Sequence, residues 1–450
     1  MDILIKAGQL FLSLAILVTL HEIGHFAPAK LFKTKVEKFY LFFNPWFSVF
    51  KKKIGETEYG LGWLPLGGYV KIAGMIDESM DKEQLKKDPE PWEFRSKPAW
   101  QRLIIMIGGV TVNVILAIFI YAMTLFIWGD IYILNKDVKD GIAVNSPILK
   151  EIGFKDGDKL ISINDKSFDK FSDYKNELMY AKSVKVNRNG EEIDIKMPID
   201  FLGQSVNTIK KTGVFDLREP FKVGKITEGA NAEKGGLKKG DEITTVNGVK
   251  ITYFDEFASL LNSNKGKNIN IKVSRNKEII DLNVDVDTAG KVGFQVSTYN
   301  ILDLENMGVY EFQRKKYSLL NSIPAGFNKA ISTLQMYIKQ FSLIFNFKTG
   351  AYKGVGGFAA IADMFPSKWY WQIFWQTTAF LSIILAFMNI LPIPALDGGH
   401  VMFLVYEMIT GRKPGEKFLE IAQYIGMGLL LSLMLYANFN DLFKWITGNF

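Results

Sequence analysis

Four long stretches with almost no charge decide what this chain can fold into. Residues 103–128, 369–396 and 421–440 carry no ionisable group before Asp397 is reached, and 7–29 carries only His21, Glu22 and His25. Each is long enough, as a helix, to cross a hydrocarbon layer of roughly 30 Å. A signal-peptide reading of the first stretch, with Ala27-Pro28-Ala29 at the cleavage point, is disfavoured, because two His and a Glu interrupt the apolar run and Pro28 sits badly there. The segment 30–102 holds 14 Lys/Arg, whereas only Lys6 precedes the first stretch. The positive-inside bias then makes 30–102 cytoplasmic, sends both termini outward and places 130–368 outside. The expected fold class is a multi-pass α-helical membrane protein with four transmembrane helices and β-rich domains inserted between helices two and three.

Composition narrows the chemistry. The chain has no cysteine, so disulfides, thiolate metal ligands and a Cys nucleophile are excluded. A net charge of +7 over 450 residues gives no basis for nucleic-acid binding. There are three histidines, His21, His25 and His400.

His21-Glu22-Ile23-Gly24-His25 has the form H-E-x-x-H. On a helix, residues four apart share a face, so both imidazoles can hold one metal ion. Glu22 lies about 100° round the helix, where its carboxylate can act on a water without being a ligand. Ionisable groups inside a span are costly and mark function by default. A catalytic zinc needs a third protein ligand, and the candidates lie in Asn389-Ile390-Leu391-Pro392-Ile393-Pro394-Ala395-Leu396-Asp397-Gly398-Gly399-His400. Pro392 and Pro394 break the third helix just before Asp397. Asp397 and His400 can both bind zinc, and spacing does not choose between them. Residue 3 to His21 spans roughly 27 Å of helix, and Trp369 to Asp397 roughly 40 Å less the proline breaks, so the two motifs can meet in the inner part of the membrane.

The outer segment contains a repeat. Residues 153–164 and 236–247 share the pattern G-(F/L)-x-x-G-D-x-(L/I)-x-x-(I/V)-N, a Gly-Asp turn followed by a short strand and an Asn turn. The pair resembles the tandem PDZ modules of bacteria, which take extended peptide onto a sheet edge or block access by bulk. A further segment, 317–345, has apolar residues three or four apart and reads as an amphipathic helix, either lying on the membrane surface or packed against its neighbours.

HExxH in the first span, the later N-x-x-P-x-P-x-L-D-G segment and PDZ modules between them resemble the site-2 protease family over essentially the whole chain. The resemblance implies an intramembrane zinc metalloprotease with Zn²⁺ held by His21, His25 and Asp397, Glu22 as catalytic base, and His400 outside the ligand set. It implies that Asn389 holds substrate backbone, and that the Gly-rich loop 60–71 is a membrane-re-entrant β-hairpin that presents Gly67, Gly68 and Tyr69 to an unwound substrate. Asn113 matches a polar position of the family. Substrates would be single-span membrane proteins of the anti-sigma-factor or signal-peptide-remnant type, cut in regulated intramembrane proteolysis. The enzyme would be a monomer in contact with lipid, in a bacterial inner membrane, with its PDZ-like domains periplasmic. The domain reading is helix one at 1–32, a cytoplasmic loop at 33–100 with the hairpin near 56–75, helix two at 101–129, PDZ-like domains at 130–219 and 220–300, a linker with the amphipathic helix at 301–368, helix three at 369–400 and helix four at 418–443. Two rival classes, a membrane metal-binding or transport protein and a non-catalytic PDZ scaffold, leave an intact HExxH or the Gly-rich loop without a task.

Overall fold

The structure, a computed structural model, describes residues 2–65, 67–75, 88–205 and 213–447. The chain forms two compact units: Met1–Gly129 with Lys316–Asn346 and Tyr352–Phe450, and Asp130–Lys315 with Phe347–Ala351.

The first unit is helical. Its main elements are α1 (Asp2–Leu31), α2 (Ala99–Trp128), α3 (Leu319–Ile344), α4 (Trp371–Ile390), α5 (Asp397–Thr410) and α6 (Glu416–Ile446). Of these, α1, α2, α4 and α6 are long and apolar enough to cross a membrane. Helix α4 ends at Ile390, since Pro392 and Pro394 have no N–H to continue it. The helix resumes as α5, so the third expected stretch is two helices joined by a bent segment.

Helix α2 is the hub, packed against α1, α3, α4 and α5. Its crossing with α1 is close because glycine faces glycine. A Cβ on Gly24 would lie 2.5 Å from the Gly108 oxygen, and one on Gly108 would lie 2.0 Å from the Gly24 oxygen. Small residues at a crossing are the usual means of helix association in lipid. Helix α3 uses the same device. Ser322, Gly326 and Ala330, four apart, are its buried face, and a Cβ on Gly326 would lie 2.5 Å from the Ala122 nitrogen. The apolar stripe expected in 317–345 is present but turned outward, with Leu320, Ile323, Phe327 and Ile338 exposed.

A four-stranded sheet follows α1, in the order β2-β3-β1-β4. The strands are β1 (Val36–Leu41), β2 (Phe50–Ile54), β3 (Thr57–Leu61) and β4 (Tyr69–Ile72). The expected hairpin near 56–75 is not formed. Strands β3 and β4 lie on opposite sides of β1, parallel and antiparallel to it respectively. The local hairpin is instead β2–β3, turning at Gly55 with φ +59°. Strand β1 takes the centre because Val36 and Tyr40 are fully buried. Gly60 leaves room for the Tyr40 ring, which a Cβ there would meet at 2.1 Å.

The second unit is β-rich and internally duplicated. In the first copy Ile142–Val144 pairs with Phe215–Leu217, and Lys159–Ile163, Ser183–Arg188 and Glu191–Lys196 form a three-stranded sheet. In the second, Phe221–Ile226 pairs with Phe294–Thr298, and Glu242–Val246, Asn268–Arg275 and Glu278–Asp285 occupy the matching places. In each copy the strand before the repeated motif thus pairs with the strand after the sheet, and each copy has its own apolar core.

The repeated motif has the same job twice. Asp158 accepts from the Lys155 N–H and from Nε and Nη2 of Arg188, whose Nη2 also donates to the Gly153 carbonyl. Asp241 accepts from the Lys238 N–H and from Arg275, which donates to the Gly236 carbonyl. Burial alone would raise the Asp241 carboxyl; the Arg275 guanidinium and the Lys238 N–H outweigh it and hold the group below the usual carboxylate range. The closing Asn of each motif, Asn164 and Asn247, has φ +49° and +47°, and its Oδ1 accepts a backbone N–H just before or within the strand that pairs with the motif's own, that of Lys182 or Asn270.

The boundary expected at 300 shifts. Leu304 and Tyr310 are buried in the core of the first copy, and Gln313–Lys315 pairs with Asp130–Tyr132. Residues 301–315 therefore return to the first copy and are not a linker.

Candidate active site

The site forms where the α1–α2 crossing meets the bent segment before α5. His21 and His25 are one turn apart on the buried face of α1. Their ring centroids are 4.8 Å apart and the Nε2 atoms 3.3 Å. Asp397, the first residue of α5, places Oδ2 3.3 Å from His21 Nε2 and 3.2 Å from His25 Nε2. His21, His25 and Asp397 are the group of potential metal ligands found among the described residues.

The triangle of 3.3, 3.3 and 3.2 Å matches one face of a tetrahedron. A metal–donor bond of about 2.05 Å gives an edge of about 3.3 Å. Asp397 Oδ2 is buried without a hydrogen bond of proper geometry. The Nδ1 of His25 faces the Ile105 carbonyl at 2.8 Å and donates there, so that in the neutral ring the lone pair lies on Nε2. Lone pairs from nitrogen and carboxylate therefore converge on one small space, which a cation satisfies and an empty apolar space does not. The donor set fits Zn²⁺, which takes imidazole and carboxylate ligands in this geometry.

The bent segment explains how Asp397 reaches the histidines. Ala395 has φ +79°. A Cβ on Gly398 would lie 2.2 Å from the Leu391 oxygen, and one on Gly399 would lie 2.7 Å from the Ile393 oxygen. The two glycines let the start of α5 fold back on the proline segment. Helix α6 holds the segment from the other side. Gln423 Oε1 accepts the Ala395 N–H at 3.1 Å, and a Cβ on Gly426 would lie 1.7 Å from the Pro394 oxygen. The carboxylate also sits at a helix N-terminus, which favours its charge.

Glu22 is half-buried beside the triangle, close enough to interact with His21, His25 and Asp397. Asn389 is near the end of α4, and its Nδ2 is 3.4 Å from His21 Nε2. Gly68 opens into β4, and a Cβ there would lie 2.7 Å from Val18 Cγ1 and 3.4 Å from Glu22 Cγ. The β4 end of the sheet is thus seated on the helix that carries the HExxH. A Cβ on Gly67 would face the Phe43 ring at 3.1 Å, while Tyr69 stacks on Tyr40 at 5.3 Å and donates its hydroxyl to Asn44. His400 is three residues beyond Asp397 and lines a cavity of about 140 Å³ with Arg102, Glu407 and Gln423.

Several residues of the site have no signature in the sequence. Gly109 lies directly against both imidazoles, the Ile105 carbonyl fixes His25, and Gln423 fixes the bent segment. Asn113, which the resemblance marked as a polar position without a role, has its side chain 3.0 Å from His21 Nδ1.

Known proteins resemble this chain along its whole length. The regulator of sigma E protease of Haemophilus influenzae is 28% identical over 99% of this chain and 100% of its own. A relative from Neisseria meningitidis that carries a zinc metalloprotease name is 28% identical over 95% of this chain and 97% of its own. The regulator of sigma-E protease of Salmonella typhimurium is 26% identical over 98% and 99%. The model of Peptidase family M50 matches residues 9–433, which take in α1, the β-rich unit and the segment that delivers Asp397, and the chain therefore belongs to Peptidase family M50.

Proposed function

We propose that this protein is an intramembrane zinc endopeptidase that cuts transmembrane segments of other membrane proteins, with zinc held by His21, His25 and Asp397 and Glu22 as the base. The observation that carries the reading is the convergence of the three donors at 3.2–3.3 Å on a helix apolar enough to span a membrane, with Glu22 beside them. Zinc, when bound, polarises the scissile carbonyl and makes water acidic enough to deprotonate near neutral pH. Glu22 takes the proton from water and passes it to the leaving amine. Asn389 and the edge strand β4 hold the unwound substrate backbone, offsetting the helical hydrogen bonds the substrate gives up. Gly68 lets that edge approach Glu22, and Gly67 and Tyr69 flank it on the stretch that would face the substrate.

The Lys/Arg bias supports a cytoplasmic 30–102, and the bacterial relatives support an inner membrane with the β-rich unit in the periplasm. The two copies are PDZ-like: each pairs the strand before its Gly-Asp turn with the strand after its sheet, and the turn leads into a sheet strand. There they hinder substrates with bulky outer domains, so that a prior cut precedes this one. Relatives named as regulators of sigma E support a place in regulated intramembrane proteolysis, with anti-sigma factors or signal-peptide remnants as substrates.

The test is incubation of the full-length protein, in liposomes, with a panel of single-span membrane peptides. Cleavage inside the span is expected, abolished by a zinc chelator and restored by added zinc. Intact peptides together with metal flux across the vesicle would instead favour the transport reading.

A further inference from the structure

A neutral imidazole that binds metal through Nε2 carries its one proton on Nδ1 and needs a fixed acceptor there. His25 has one, the Ile105 carbonyl at 2.8 Å. At His21 the group facing Nδ1 is the side-chain amide of Asn113, with Nδ2 at 3.0 Å. That orientation sets one donor against another, while Asn113 Oδ1 is buried with no hydrogen-bond partner. The two amide atoms differ little in shape, and their placement follows the hydrogen-bond network. Turning the amide by 180° puts the orphaned oxygen onto the Nδ1 proton.

The location is built rather than incidental. Asn113 is completely buried, and its backbone carbonyl accepts from Ser382 Oγ of α4 at 2.8 Å. Ile105, Gly109 and Asn113 lie four apart along one stripe of α2. Ile105 meets His25, Gly109 leaves space for both rings, and Asn113 meets His21.

Resting on the zinc reading above, we infer that Asn113 is a positioning residue: its side-chain oxygen accepts the Nδ1 proton of His21 and holds the ring in the tautomer that offers Nε2 to the metal. Loss of such an outer partner weakens metal binding by about 10- to 100-fold. In chelator competition on the full-length protein, Asn113→Leu should bind zinc weaker by about that factor. Asn113→Asp, which keeps an acceptor and no donor, should stay close to wild type. A nitrogen-15 histidine spectrum of the zinc-loaded wild type, with three rings to assign, should show His21 protonated at Nδ1, and this needs no substitution to fold. The proposal is overturned by wild-type affinity in Asn113→Leu, by equal weakening in the Asp and Leu variants, or by a His21 ring bare at Nδ1. If the wild type takes up no zinc, the zinc reading falls as well, which separates the two failures.

Discussion

Glu22→Gln is expected to keep zinc at the wild-type level and to cut membrane peptides about 10²- to 10⁴-fold more slowly. Glutamine has the same shape as glutamate but cannot take a proton from water, so the loss falls on the chemical step. In barrier height this is about 2.7–5.4 kcal/mol. Retention of zinc follows from the geometry, since His21, His25 and Asp397 form the triangle and Glu22 stands beside it. Zinc content and turnover should be measured on the same preparation. A Glu22→Gln protein that still cuts would remove Glu22 from the role of base, and one that loses its zinc would make Glu22 a ligand.

Gly109→Ala should damage the site nearly as severely by adding one methyl group. The new Cβ would lie 2.4 Å from His25 Nε2, 2.6 Å from His21 Cε1 and 2.8 Å from His21 Nδ1. Neither ring can retreat, because His25 is tied to Ile105 and His21 faces Asn113. The helices cannot separate without losing the Gly24–Gly108 contact. Overpacking of this kind costs about 1–3 kcal/mol. Taken from metal binding, that is about a 5- to 150-fold loss of zinc affinity. Gly8→Ala, in α1 with open space around it, is the control and should bind zinc like wild type. Unchanged affinity in Gly109→Ala would mean that the imidazoles are not held where the structure places them.

The parts of this site that were legible in the sequence are those whose spacing is set by a single element. His21 and His25 share a face because four residues make about one helical turn, and the Pro392–Pro394 break follows from the missing N–H groups. The choice between Asp397 and His400 was not legible. It depends on where α5 begins and how the start of that helix folds back through Gly398 and Gly399, with His400 left lining a cavity beside Arg102 and Glu407. Gly109 and Gln423 matter only through the helices they face, and no local pattern marks such partners; Asn113 was marked by the resemblance, but its partner was not. The loop 60–71 was misread for a related reason. Alternation identifies strands, but strand neighbours are fixed by non-local pairing, and β1, at Val36–Leu41, enters between β3 and β4 from well upstream of both. The same holds for Leu304 and Tyr310, which complete a core begun near Ile133. The tandem repeat was legible because each copy solves its own turn with its own Asp and Asn.

Metal analysis of the purified full-length protein beside its Asp397→Ala and His400→Ala variants tests the ligand triangle most directly. About one zinc per chain in the wild type and in His400→Ala, and little or none in Asp397→Ala, is the result expected for a single ion with one carboxylate ligand. Full zinc in Asp397→Ala, with loss in His400→Ala, would contradict it.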